Sequence, residues 1–213
     1  MKVISFISQK GGVGKTTLAI HLAVAFAAQG QNVAIIDLDP QASSAEWKDF
    51  RANEMPGVIA IPSSRLTKVL KDLEKTGADV VILDTAPHSE GTALDAARAA
   101  DLILVPVQPS IMDLRAMRKT TDLLKHIKTP TYAVLNSIST TGAAMGTEKA
   151  IEAEFGIEIC PVRIGDRVAY SRCLIAGQSA QEFEPSGKAA VEVRKFHKWA
   201  SGLVGLAVRE LVA

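Results

Sequence analysis

Apolar residues come in short runs separated by amphipathic stretches, and that rhythm predicts the elements. Val3-Ile4-Ser5-Phe6-Ile7 reads as a buried strand, and residues 18–26 read as a helix. Gln29-Gly30-Gln31-Asn32 supplies a helix stop and a turn, after which Val33-Ala34-Ile35-Ile36-Asp37 is a strand ending in acid. A short helix is expected over 43–51 and a strand over 58–62. Ser64 is placed to cap a helix over 65–75, where Leu66, Val69, Leu70 and Leu73 recur at helical spacing. Val80-Val81-Ile82-Leu83-Asp84 repeats the strand that ends in aspartate, and a helix over 92–100 follows. Beyond it the pattern predicts strands over 102–107, 132–136 and 158–161, with helices over 113–127 and 147–155. A closing helix over 187–212 carries Val193, Phe196, Trp199, Ala200, Leu203, Ala207 and Leu211 on one face.

Continuous apolar strands alternating with amphipathic helices predict an α/β three-layer sandwich, with a mostly parallel central sheet covered on both faces. At 213 residues the chain suits one domain over 1–213, with room for a sizeable core. Composition agrees: 47% of residues are hydrophobic but only 5% aromatic, so Ala, Val, Ile and Leu build the interior. The net charge of +1 excludes a globally basic chain, so contact with nucleic acid requires a local patch. Cys160 and Cys173 lack CxxC spacing and read as buried, reduced thiols. The N-terminal apolar run spans only five residues, too short for a signal-peptide core, and no stretch approaches the roughly 18 apolar residues of a membrane span. A cytoplasmic protein is expected.

Candidate chemistry collects where such sheets bind ligands, beyond the carboxyl ends of the strands. Between the first strand and helix lies Gln9-Lys10-Gly11-Gly12-Val13-Gly14-Lys15-Thr16-Thr17. Glycines let backbone N–H groups turn inward, a helix N-terminus adds partial positive charge, and a lysine neutralises terminal phosphate oxygens. The usual G-x-x-x-x-G-K-[ST] loop has glycine where Gln9 stands, and here an additional lysine, Lys10, opens the loop. A triphosphate with Mg²⁺ needs a cation, a hydroxyl on the metal and a carboxylate for its water shell. Lys15, Thr16 and Asp84 fit those roles, with Asp37 as a second outer-shell candidate and Thr17 near the α-phosphate. Asp39, just past a strand end and before Pro40, is the candidate that orients an attacking water.

Lys10 to Thr17, Asp37-Leu38-Asp39-Pro40-Gln41 and Ile82-Leu83-Asp84-Thr85-Ala86-Pro87, together with Val105-Pro106-Val107-Gln108-Pro109-Ser110 and Asn136, resemble the ParA/MinD family of deviant Walker A ATPases. The likeness runs over nearly the whole chain and is strongest to small ParA-type proteins. It implies a P-loop fold, ATP and Mg²⁺ as ligands, and a nucleotide-sandwich homodimer in which Lys10 reaches the partner's phosphates. It further implies that Gly11, Gly12, Val13, Gly14, Lys15, Thr16 and Thr17 cradle the nucleotide. Asn136 would read the adenine edge, and Pro161, Val162 and Arg163 would pack beside the base. Where relatives have Asp-Thr-Pro-Pro, this chain has Asp84-Thr85-Ala86-Pro87 followed by His88, which reads as a surface loop residue.

The resemblance also implies non-specific DNA binding on the nucleoid, positioning of a plasmid, chromosome or protein cargo, and stimulation by a ParB-like or other small basic activator. No N-terminal winged helix-turn-helix is expected, since the sequence starts two residues before its first strand. DNA contact then falls to the core fold, with Arg167, Arg172, Lys188, Arg194, Lys195 and Lys198 as candidates. The alternatives are a MinD-like membrane-associated regulator, an amide-forming enzyme of the cobyrinic acid synthase type and a non-enzymatic nucleotide-binding scaffold. No stable membrane anchor is expected.

Overall fold

A computed structural model describes residues 1–208, apart from the side chain of Ala143. Its strands are β1 (Lys2–Phe6), β2 (Val33–Asp37), β3 (Gly57–Ala60), β4 (Val80–Asp84), β5 (Leu102–Val107), β6 (Thr131–Leu135) and β7 (Glu158–Ile159). Between and after them run α1 (Lys15–Ala28), α2 (Ser43–Asp49), α3 (Leu66–Lys75), α4 (Glu90–Ala99), α5 (Ile111–Leu124), α6 (Thr141–Glu154), α7 (Val168–Ile175), α8 (Ala180–Phe183) and α9 (Lys188–Leu203).

The strands form one sheet in the order β3-β2-β4-β1-β5-β6-β7, and every pairing is parallel. β2, β4 and β5 are buried at every position, as strands covered on both faces must be. Register sets Asp84 beside both Phe6 and Asp37, so β1, β2 and β4 finish at one level. That level carries the site.

Alternate residues of each strand feed opposite cores. Ile4, Phe6, Ile35, Ile82 and Leu104 pack with α1, α7 and α9 on one face. Val3, Ile36, Val81, Leu83 and Ile103 pack with α3 and α4 on the other. Met117 of α5 and Ile151 of α6 cover Val107, Ala133 and Leu135. α1 is apolar almost all round, with Leu18 through Phe26 buried, because it lies between the sheet and α9. Each such large side chain stabilises the fold by roughly 1.5–3 kcal/mol. Gly30, at φ 83°, ends the helix in the left-handed conformation that glycine adopts without strain.

Several boundaries differ from those the pattern predicts. Ser64 does not cap α3; it lies inside a 3-10 turn, Ser63–Arg65, that leads into the helix. α5 starts earlier than expected because Ser110 accepts from the Asp113 N–H and caps it. α7 and α8 are additional, and Ser179 with Glu182 closes a capping box on α8. The closing helix stops at Leu203. Gly205, at φ 70°, lets the Leu206 N–H reach back to the Ser201 carbonyl, so Ala207 lies beyond the helix, while Leu211 and Val212 fall outside the described residues.

The interior also buries two histidines. His197 of α9 is 4% exposed, sits edge-on to Phe26 and meets Ser201 Oγ through Nε2 at 3.2 Å. Burial pushes its pKa from 6.5 down to about 4, and His21 shifts likewise. The folded state therefore binds fewer protons than the unfolded state between those values. Stability is complete above pH 6.5 and is lost as the pH falls toward 4, by up to about 3 kcal/mol per histidine. A His197→Gln variant should show a shallower decline of its urea midpoint over that window than the wild type, measured by circular dichroism. An unchanged slope would remove His197 from the acid sensitivity.

Candidate functional site

The loop joining β1 to α1 needs backbone that only glycine adopts easily. Gly12 has φ 76° and Gly14 has φ 98°. At Gly14 a Cβ would also fall 2.1 Å from Asn136 Nδ2, so no side chain fits. Its carbonyls are pinned from outside. Gln108 Nε2 donates to the Gly12 carbonyl at 2.9 Å, and Asn136 Nδ2 donates to the Val13 carbonyl at 2.7 Å. The Gln9 N–H donates to Thr120 Oγ1 at 3.1 Å. With carbonyls held on one side, the amide N–H groups of such a turn are offered on the other. Gly14 provides no side-chain cap for α1, so the helix end adds its own unsatisfied N–H groups and partial positive charge there.

Lys15 is 6% exposed and folds back to donate to the Lys10 carbonyl at 3.2 Å. Burial lowers its pKa, while Asp84 and Asp39 act to keep it charged. Asp84 is fully buried, and burial pushes its pKa up to about 7, opposed first by the Thr16 hydroxyl. Its Oδ2 accepts from Ser44 Oγ at 2.8 Å, but its Oδ1 has no partner among the described residues. A buried carboxylate oxygen left unpaired beside a threonine hydroxyl suits the hydrated cation of a metal–nucleotide complex. Thr16 and Asp84 would hold Mg²⁺ with the help of phosphate oxygens. Among the described residues no cluster of three or more His, Cys, Asp or Glu forms an all-protein metal cage.

Asp37, the second outer-shell candidate, is engaged with backbone N–H groups. Its Oδ1 accepts from the Asp39 N–H at 3.0 Å, and its Oδ2 accepts from the Ser44 and Ala45 N–H groups at 2.8 and 3.3 Å. It thus satisfies the start of α2 and fixes the bend that carries Asp39. Burial raises its pKa against those three hydrogen bonds. Asp39 itself is half-buried and accepts from the Gln41 N–H at 2.9 Å.

Lys10 is half-buried and ion-paired within its own chain, with Nζ 2.5 Å from Asp113 Oδ2. The Asp113 side chain is 1% exposed, and the same oxygen also accepts from Ser110 Oγ. The sequence pointed to Lys10 but not to Asp113, 103 residues away.

A cavity of about 440 Å³ opens beside the loop, between Gly12, Gly14 and Thr17 on one wall and the chain from Gly165 to Leu174 on the other. Asn136 lines it, while Pro161, Val162 and Arg163 do not. β7 is short, but pairing with β6 resumes where the Ile164 N–H meets the Leu135 carbonyl and Gly165 bridges Ile138. This carries the wall past the expected segment, and Arg163 turns away to Glu148, both bonds being 2.7 Å. Arg167, a DNA-contact candidate, lines the cavity and is paired with Glu192. Arg172 on α7 and Lys188, Arg194, Lys195 and Lys198 on α9 are exposed. His88 is exposed at φ 56°. Cys160 and Cys173 are buried and free, their pKa values raised by burial to about 12 and 11.

Comparison with known proteins bears on this geometry. The model of the CobQ/CobB/MinD/ParA nucleotide binding domain matches residues 4–180. Maintenance of carboxysome distribution protein A from Gloeobacter kilaueensis is 34% identical over 121 residues, 56% of this chain and 55% of that protein. The chromosome-partitioning ATPase Soj from Thermus thermophilus is 25% identical, over 90% of this chain and 92% of its own. An aspartate-to-alanine variant of Cyanothece McdA, solved with ATP, shares the fold at a TM-score of 0.77 and 18% identity, covering 100% of this chain and 99% of that one.

Gly14→Ala should cost about 1–3 kcal/mol through its positive φ alone. It should also displace Asn136 and weaken binding of nucleoside diphosphates by at least about a hundredfold, roughly the effect of losing two charge-assisted hydrogen bonds. Thermal melts and calorimetric titration with ADP would read the two effects. Wild-type affinity in that variant would show that the loop does not form the cradle.

Proposed function

The chain belongs to the CobQ/CobB/MinD/ParA nucleotide-binding family, and from that membership we propose that it is an ATPase that dimerises around ATP and Mg²⁺. In that state it binds DNA without sequence preference and positions a cargo, and a small basic partner stimulates hydrolysis. The observation that carries this reading is the pair of lysines. Lys15 is buried under the loop, with Asp84 and Asp39 favouring its charge. Lys10 stands at the loop's mouth, and its own chain supplies the anion that holds it.

On this reading Lys15 and the amides from Gly11 to Thr17 bind the phosphates. Mg²⁺, held by Thr16 and Asp84, would neutralise charge that builds on them during transfer. Asp37 keeps the bend at 39–45 rigid, so that Asp39 can orient water from a fixed backbone. Lys10 leaves Asp113 for the partner's phosphates when two subunits close, supplying a second cation in trans.

Lys188, Lys195 and Lys198 project from α9 and make no ion pair among the described residues, which suits phosphate contacts that displace counterions. The Soj relative is a chromosome-partitioning ATPase, and the Gloeobacter kilaueensis relative maintains carboxysome distribution. They support a nucleoid-associated positioning role here. Among the described residues no helix is long and apolar enough to cross a membrane.

Asp39→Ala should lower ATP hydrolysis by at least about a hundredfold, the scale of losing a positioned general base, while an ATP-bound dimer persists on gel filtration. Normal phosphate release would remove Asp39 from the mechanism. Lys10→Ala should lose the dimer altogether. Replacing both Lys195 and Lys198 with alanine should reduce the slope of log affinity for DNA against log salt by about 2. An unaltered slope would place the DNA contact elsewhere.

A further inference from the structure

Beside the cavity that flanks the phosphate loop, hydrogen-bond donors converge on Glu192 of α9. Its Oε1 accepts from both Nε and Nη2 of Arg167, the former at 2.9 Å. Its Oε2 accepts from the Gly165 N–H at 3.1 Å and from the Tyr170 hydroxyl at 3.0 Å. Burial and the Glu192 charge raise the Tyr170 pKa, so its hydroxyl remains a donor. One carboxylate therefore gathers four donors, from three residues of a single segment of chain. All three residues line the cavity that faces Gly12, Gly14 and Thr17.

An arginine that reads DNA from a surface presents its guanidinium outward, as the α9 lysines present their ammonium groups. Arg167 does the opposite. Its side chain is 32% exposed and two of its three nitrogens are committed to Glu192, whose side chain is 16% exposed. A DNA phosphate would have to break that charge-assisted pair to claim it. The remaining nitrogen, Nη1, has no partner among the described residues, on a side chain that lines the cavity. Because Glu192 largely offsets the positive charge, the group suits the hydroxyls and ring nitrogens of a nucleoside better than terminal phosphates. Lys15 already serves the phosphate end.

We propose that Arg167 contacts the nucleoside half of the bound nucleotide, and that Glu192 is the positioning residue that aims it. This rests on the nucleotide-binding reading above, but not on DNA binding. The Gly165 N–H and the two Arg167 bonds hold Glu192 in place, the Tyr170 hydroxyl adding a second bond to an oxygen already held by Gly165, and Glu192 in turn fixes the plane of the guanidinium.

The test is the affinity for Mg²⁺–ADP, measured by calorimetry without DNA on full-length protein. Arg167→Gln should weaken it about tenfold, the scale of one hydrogen bond to a charged group. Glu192→Gln keeps the volume and should weaken it by a similar factor. The double variant should bind no more weakly than the worse single one, because the two residues act in series. Tyr170→Phe removes another Glu192 donor without touching Arg167, and it should stay within about twofold, so it separates aim from general packing. At saturating ATP, DNA affinity of Arg167→Gln should match the wild type. The proposal fails if Arg167→Gln binds ADP normally, if the two losses add, or if Tyr170→Phe loses as much as Glu192→Gln. Wild-type protein that binds neither ADP nor ATP would instead overturn the nucleotide reading itself.

Discussion

The site depends on one constraint: the carbonyls between β1 and α1 must face away from the space where the amides are needed. A glycine turn permits that arrangement but does not enforce it. Enforcement comes from side chains that arrive on other strands. Gln108 follows β5 and Asn136 follows β6, and each donates a carboxamide N–H to a loop carbonyl. Lys15 donates to a third, the carbonyl of Lys10. Every polar bond spent on the outside of the loop leaves its inner surface free for a ligand.

Around that loop the fold accepts electrostatic cost. Asp37 and Asp84 are neighbours in register, and burial raises the pKa of both, with the Asp37 charge raising that of Asp84 further. Asp37 recovers its cost through three backbone N–H groups, whereas Asp84 keeps one oxygen without a partner. The far end of the segment they govern is also anchored. Arg51 donates to both Glu182 oxygens, at 2.9 and 2.8 Å, and to the Gly177 carbonyl at 3.0 Å. The bend carrying Asp39 is therefore tied to the sheet at one end and to the α7–α8 connection at the other.

Much of this was legible in the chain because it is local. Apolar runs ending in Asp37, Asp84 and Asn136 mark strand ends, and the glycines with Lys15 mark the turn. What was not legible depends on contacts distant in sequence. Nothing near Lys10 announces Asp113, and nothing near Asp84 announces Ser44, because a serine or aspartate opening a helix looks like an ordinary cap. The stretch from Val162 to Gly187 lacks a long periodic run, so α7 and α8 were missed, and with them the wall that carries Arg167. Arg167 and Lys195 look alike as letters; only the carboxylate of Glu192 beside one of them separates their surroundings. Gly205 was readable as a helix stop, but the apolar spacing around it continued the pattern.

β1, which leads into the phosphate loop, precedes the other six strands of the sheet in sequence and lies in its middle. Its neighbours are β4 and β5, whose paired residues begin at Val80 and Leu102. During synthesis, then, the loop emerges long before either edge that can hold it, and the Asn136 brace comes later still. A nucleotide stabilises only chains in which its cradle already exists. It therefore cannot guide the early stages of folding, and an emerging chain must keep a bare apolar strand in solution until β4, and for its other edge β5, has followed. The central placement that buries this strand in the finished sheet also leaves the unfinished chain with exposed apolar surface of the kind chaperones recognise.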